Sequence, residues 1–97
     1  MLDEPRILWR GTRDARGLVK HAYHVAAELT DYAITVDPAR RQTLGGKVAA
    51  SDPYWLTQRP LVFVVPTKVG VWRWPIESLT VADGRLTARL GALLERE

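Results

Sequence analysis

Cysteine is absent from this 97-residue chain. That absence removes disulfides, thiolate nucleophiles, zinc ribbons and iron–sulfur clusters together, so packing or self-association must hold the domain. Long hydrophobic runs are missing too. The longest, LVFVV at 61–65, falls far short of the ~20 residues that span a bilayer as a helix, so no membrane partner is expected. The opening MLDEPRILWR is acidic before it is apolar and has no h-region, which gives the expectation of a cytoplasmic protein. Serine is scarce: Ser51 and Ser78 are the two, and neither sits in a G-x-S-x-G elbow. There is no paired-carboxylate motif either. Catalysis is disfavoured, no cofactor is expected, and an enzyme would have to assemble its site in space.

What is present is ordinary globular composition, 46% hydrophobic and 26% charged, enough for one domain over 1–97 with a single modest core. The net charge is +3, and eleven arginines outnumber three lysines. That bias fits a GC-rich bacterial genome, and equally a need for planar, bidentate contacts to phosphate or carboxylate.

The clearest local signal is SLTVADGRLTARL. Asp83-Gly84 is the dipeptide of a two-residue type I′ turn, whose central residues both need positive φ. That turn sets Ala82 against Arg85, Val81 against Leu86, Thr80 against Thr87 and Leu79 against Ala88. Alternation then places Leu79, Val81, Leu86, Ala88 and Leu90 on one face, with Thr80, Arg85, Thr87 and Arg89 on the other. LVFVV lies between Pro60 and Pro66 and reads as a strand buried on both faces. With VWRWPI following, residues 61 to 90 predict a four-stranded antiparallel meander.

The first half fits two templates. RILWRG predicts a strand. LVKHAYHVAAEL alternates like a strand, yet it also stripes like a helix with Asp14 as N-cap. The reading adopted is strands at 19–29 and 32–36, giving a mainly β fold: a small barrel or a curled antiparallel sheet. One helix at about 14–30 would make it α+β instead. Residues 37–60, with three prolines and Gly45-Gly46, predict loop, with at most a short strand near 47–50.

Two tryptophans flank an arginine in WRW. Residues two apart share a strand face, so Trp72, Trp74 and Ile76 point one way and Arg73 the other. Exposing the tryptophans would bury the arginine, which is costly; the tryptophans are therefore assigned to the core. Arg73 is then expected to join Arg85 and Arg89 on a wet face suited to phosphate or an acidic partner. The plain alternative is a solvated face that keeps the domain soluble.

Three further groups stand out. His21, His24 and Glu28 share one face only if the segment is a helix, where they would form a two-histidine, one-carboxylate metal set; on a strand the set comes apart. Arg40, Arg41 and Lys47 surround Gly45-Gly46, but Arg41 and Val48 occupy the positions where a Walker loop needs glycine and Ser/Thr. This leaves a β-turn, with a basic anion-binding loop as the functional alternative. Tyr54, Trp55 and Arg59 lie in a proline-bounded segment typical of contact anchors.

The function expected from these residues is a non-catalytic binding module. Its basic face and the 40–59 loop would engage a polyanion, either single-stranded nucleic acid or a nucleoprotein complex. A protein–protein adaptor or inhibitor anchored by Tyr54 and Trp55 on an acidic partner surface is the second reading, and a homo-oligomer is compatible with either.

Overall fold

The computed structural model describes residues 5–10, 23–57 and 60–94. Six strands, β1 (Arg6–Arg10), β2 (Tyr23–Val36), β3 (Gln42–Ser51), β4 (Leu61–Thr67), β5 (Gly70–Ala82) and β6 (Arg85–Leu90), and one short helix, α1 (Pro53–Leu56), build the fold. The strands close into a barrel in the order β1-β2-β3-β6-β5-β4, with every neighbouring pair antiparallel. The mainly β barrel expected from the sequence is the fold. The α+β alternative fails over 23–30, which are strand; the rest of 14–30 lies outside the described residues.

Closure demands tilt. Stepping from partner to partner, His24, Trp9, Leu61, Ile76, Leu90, Gln42 and Val36 form one continuous row around the ring. The row leaves β2 at His24 and returns to the same strand at Val36, twelve positions on. Inward side chains from this row and its neighbours fill the lumen. Ile7, Leu29, Leu44, Leu61, Phe63 and Leu86 are each at most 1% exposed, as expected for a small barrel whose interior is just wide enough for packed side chains.

The last three strands form the meander. Asp83 (φ 53) and Gly84 (φ 73) both take positive φ, and β5 pairs β6 in the register that the turn dictates, from Ala82–Arg85 to Leu79–Ala88. The segments at 71–76 and 79–82, read as two strands, are one thirteen-residue strand bent by a bulge at Glu77. Bulges bend and twist the strand that carries them, so β5 can pair β4 along its first half and β6 along its second. Leu61 through Val64 are all buried: Leu61 and Phe63 lie in the core cluster, and Val62 and Val64 alternate with them toward the outside. Trp74 packs on Phe63 with ring centroids 5.6 Å apart and Trp72 is half-buried, so the tryptophans take the inward side of WRW.

The main correction falls on 37–60. Gln42–Ser51 is a ten-residue strand rather than a loop, and Gly45-Gly46 lies inside it rather than in a turn. Gly46 faces inward, where a Cβ would meet the Tyr32 backbone at 3.3 Å. The close approach of β2 and β3 therefore favours a residue without a side chain. The turn sits earlier, at 37–41, closed by Arg40 N–H to Asp37 C=O at 2.8 Å, with Arg40 at φ 64.

β3 and β4 stand on opposite sides of the ring, so their connection must cross one barrel end. α1 lies on that crossing. Four residues make no stable helix alone. The Asp52 side chain accepts from Tyr54 N–H at 3.0 Å as N-cap, and Trp55 and Leu56 pack against the core.

Candidate polyanion-binding face

The outer surface of β2, β3, β6 and β5 follows from the same register. Directly opposed residues share a face, so Thr35, Thr43, Arg89 and Ser78 form one cross-strand row. Ala33, Gly45, Thr87 and Thr80 form the next. Lys47, Arg85 and Ala82 form the third. Their inward neighbours, Leu44, Leu86, Ala88 and Leu90, are buried, which fixes the rows as outward. The surface is wet, rich in hydroxyls and cationic.

Its charges are only partly neutralised. Lys47 reaches Asp31 at 3.4 Å, and Asp31 holds φ 50 at the β2 irregularity between Thr30 and Ala33. Arg85 and Arg89 are exposed, and neither has an ion-pair partner among the described residues. Lys47 also stands directly opposite Arg85. Like charges so placed, with Cβ atoms ~5 Å apart, destabilise a sheet. A bound anion would relieve that apposition.

The hairpin at 37–41 extends the cationic surface. Arg41 N–H donates to Asp37 Oδ1 at 2.9 Å and its Nε to Oδ2 at 3.0 Å. The Arg41 N–H holds the Asp37 carboxyl below its ordinary value; its guanidinium adds to this, and partial desolvation opposes it. Arg41 is thus committed to its turn. Arg40 is exposed at the tip, in a backbone region where an L-residue is uncommon.

Arg73 stands elsewhere. It is opposite Val64 on β4, which is opposite Arg6 on β1, whose own partner is Glu28. This outward row belongs to the β1–β4–β5 side. The Glu77 bulge separates it from Arg85 and Arg89. Arg73 is half-buried, and its carbonyl accepts from Leu94 N–H at 2.7 Å.

Trp55 belongs to the barrel end. Its ring lies flat on His24 at 4.5 Å with an interplanar angle of 1°, and tilted against Trp9 at 4.8 Å. Tyr54 is 62% exposed and meets Trp55 edge-on at 4.9 Å. The two described members of the metal set, His24 and Glu28, do not come together. A bulge at Ala26 offsets β2, so His24 partners Trp9 while Glu28 partners Arg6, with a 3.7 Å ion pair between Arg6 and Glu28. No group of three metal-ligating side chains occurs among the described residues. His21 and Arg59 lie outside the described residues. Near α1 an open depression is lined by Val25, Ala26, Glu28, Ala50, Ser51 and Asp52. Both its carboxylates already have partners in Arg6 and the Tyr54 N–H.

Sequence reasoning groups Arg85 with Arg89 and sets Lys47 in a separate basic loop, but misses that β3 brings the lysine beside the arginines. It misses Thr35 and Thr43 altogether and places Gly45 in a loop rather than on a strand face. Their signal is the alternation of Thr43, Gly45 and Lys47 against Leu44, Gly46 and Val48, masked by the paired glycines. Comparison with known proteins finds no matching family model, no matching curated protein and no matching solved structure.

Proposed function

We propose that this protein is a small binding module that engages a polyanion through the outer face of β3, β6 and β5, and that single-stranded nucleic acid is the polyanion it takes. The observation that carries the reading is the pair of exposed arginines, Arg85 and Arg89, without carboxylate partners among the described residues, with Lys47 set opposite one of them. Arginine presents a planar fork of donors suited to phosphate oxygens. The hydroxyls of Thr43, Ser78, Thr80 and Thr87 add uncharged donors of the kind that position a sugar–phosphate backbone. Arg40 at the hairpin tip supplies a further cation.

The adaptor reading draws less support. Trp55 is engaged with His24 and Trp9, which leaves Tyr54 as the exposed aromatic of its pair of anchors.

The test is fluorescence anisotropy with a labelled single-stranded oligonucleotide between about 50 and 300 mM salt. Lys47, Arg85 and Arg89 engaging three phosphates give a log–log slope of about −2, at ~0.7 per phosphate for single strands. Replacing Arg85 and Arg89 together by alanine should reduce the slope by about 1.4 on the same basis. No binding at the lowest salt would sink the proposal.

A further inference from the structure

We infer that the sugar–phosphate backbone of a single strand crosses the barrel in a lane floored by Gly45, between Arg89 on one side and Lys47 with Arg85 on the other. This rests on the polyanion reading above and assigns it a path, a floor and a preference for one strand over two.

The lane follows from the register. Arg85 and Arg89 are four residues apart on β6 and share its outward face, so their Cα atoms stand about 13 Å apart. Thr87 lies midway, with Gly45 opposite it on β3 and Thr80 opposite it on β5. All the cations are on long side chains in the flanking rows, and the central row carries none. The result is a trough with positive walls and a floor of backbone and hydroxyls. One sugar–phosphate strand fits between walls at this spacing, whereas a duplex must ride on top of them and reach fewer of the hydroxyls.

Gly45 is the second observation. Unlike Gly46, its missing side chain answers to no packing constraint, for a Cβ added there meets nothing within 4 Å. Its φ is not in the left-handed region, which among the described glycines is confined to Gly70 and Gly84. A glycine in the interior of a strand weakens the strand and marks a bulge, a bend, or a site that a ligand or another backbone approaches closely. Gly45 flanks the β2 irregularity between Thr30 and Ala33, but the protein leaves the space above it unfilled, and that space is open to an external group. Charge complementarity with Arg85, Arg89 and Lys47 makes it an anion.

This separates fold from binding at one residue. Gly45→Val adds a β-branched side chain in open space, so the melting temperature should hold or rise. The same side chain obstructs the lane, and affinity for a labelled oligothymidylate should fall at least fivefold at about 100 mM salt. Thr87→Tyr, a second bulky but uncharged residue that suits an exposed strand position, should do the same and covers failure of the first variant to fold. A duplex of equal length should bind wild type more weakly than the single strand.

Binding by Gly45→Val and Thr87→Tyr within twofold of wild type, with the Arg85/Arg89 double variant impaired, would overturn the lane and leave the polyanion reading standing. A duplex that binds as tightly as the single strand would overturn it too. Wild type that binds no oligonucleotide at all removes both.

Discussion

Replacing Trp55 by alanine should unfold the barrel from its end inward. α1 is too short to persist alone, and the segment that carries it must cross from β3 to β4. Its attachments are the Asp52 cap, Leu56, and the ring of Trp55 wedged between Trp9 and the His24 imidazole. A fully buried tryptophan truncated to alanine costs ~3–5 kcal/mol. Trp55 is half-buried, so the expected loss is about 2–3 kcal/mol, including the stacking with His24. At ~4–8 °C per kcal/mol for a domain of this size, the melting temperature falls by roughly 10–20 °C. Far-UV circular dichroism is the suitable probe, because the substitution removes one of four tryptophans from any fluorescence signal. His24→Ala and the double variant complete a cycle, whose coupling should be about 0.5–1.5 kcal/mol. Below the transition, Trp55→Ala should bind oligonucleotide as wild type does, because the ring packs on Trp9 and His24 rather than on the outer rows of Lys47, Arg85 and Arg89. A stability loss under about 1 kcal/mol with no coupling would refute this reasoning and return Trp55 to the role of a contact residue.

Two other outcomes are expected at the 37–41 hairpin. Arg40→Gly removes the cost of a left-handed L-residue (φ 64) and should stabilise the protein by about 0.5 kcal/mol net of the added unfolded-state entropy, as read in urea denaturation; a loss of stability would mean that the arginine side chain holds the turn. Asp37, held below its ordinary value by the Arg41 N–H and guanidinium, contributes stability that is complete above the unfolded carboxylate pKa and is lost as pH falls through its lower folded value. A carbon-detected titration should show Asp37 protonating below the ordinary aspartate range, and Asp37→Asn should abolish that increment of acid stability.

The parts of this fold legible in the sequence are those decided within a few residues. Asp83-Gly84 fixes a turn, the turn fixes a register, and alternation then assigns Leu86, Ala88 and Leu90 to the core without reference to the rest of the chain. LVFVV announces a strand with both faces covered in the same local way. β3 was hidden because Gly46 answers to a distant partner. Gly46 exists to let the Tyr32 backbone approach, a fact about β2 rather than about residues 42–51. The parity of the faces was hidden for a related reason. The offsets at Ala26, between Thr30 and Ala33, and at Glu77 each reverse the alternation, so His24 and Glu28, both even-numbered, take different faces.

These offsets arise from closure. Six tilted strands meet around a ring only if some of them bend, and bulges supply the bend. The same closure composes the candidate site. Arg85 and Arg89 come from one strand and were readable together. Lys47 joins them only because β3 pairs with β6, the first and last strands of the outer face being brought together by the ring. Arg73 leaves them because the Glu77 bulge turns the first half of β5 toward β4. A charge cluster made this way has no spacing motif to find, since its members are neighbours across strands rather than along the chain. Its physical trace is a Lys–Arg apposition that a sheet would ordinarily avoid and a glycine whose open space the protein does not use. Both features weaken the free barrel, and an anion bound as proposed would offset the electrostatic one.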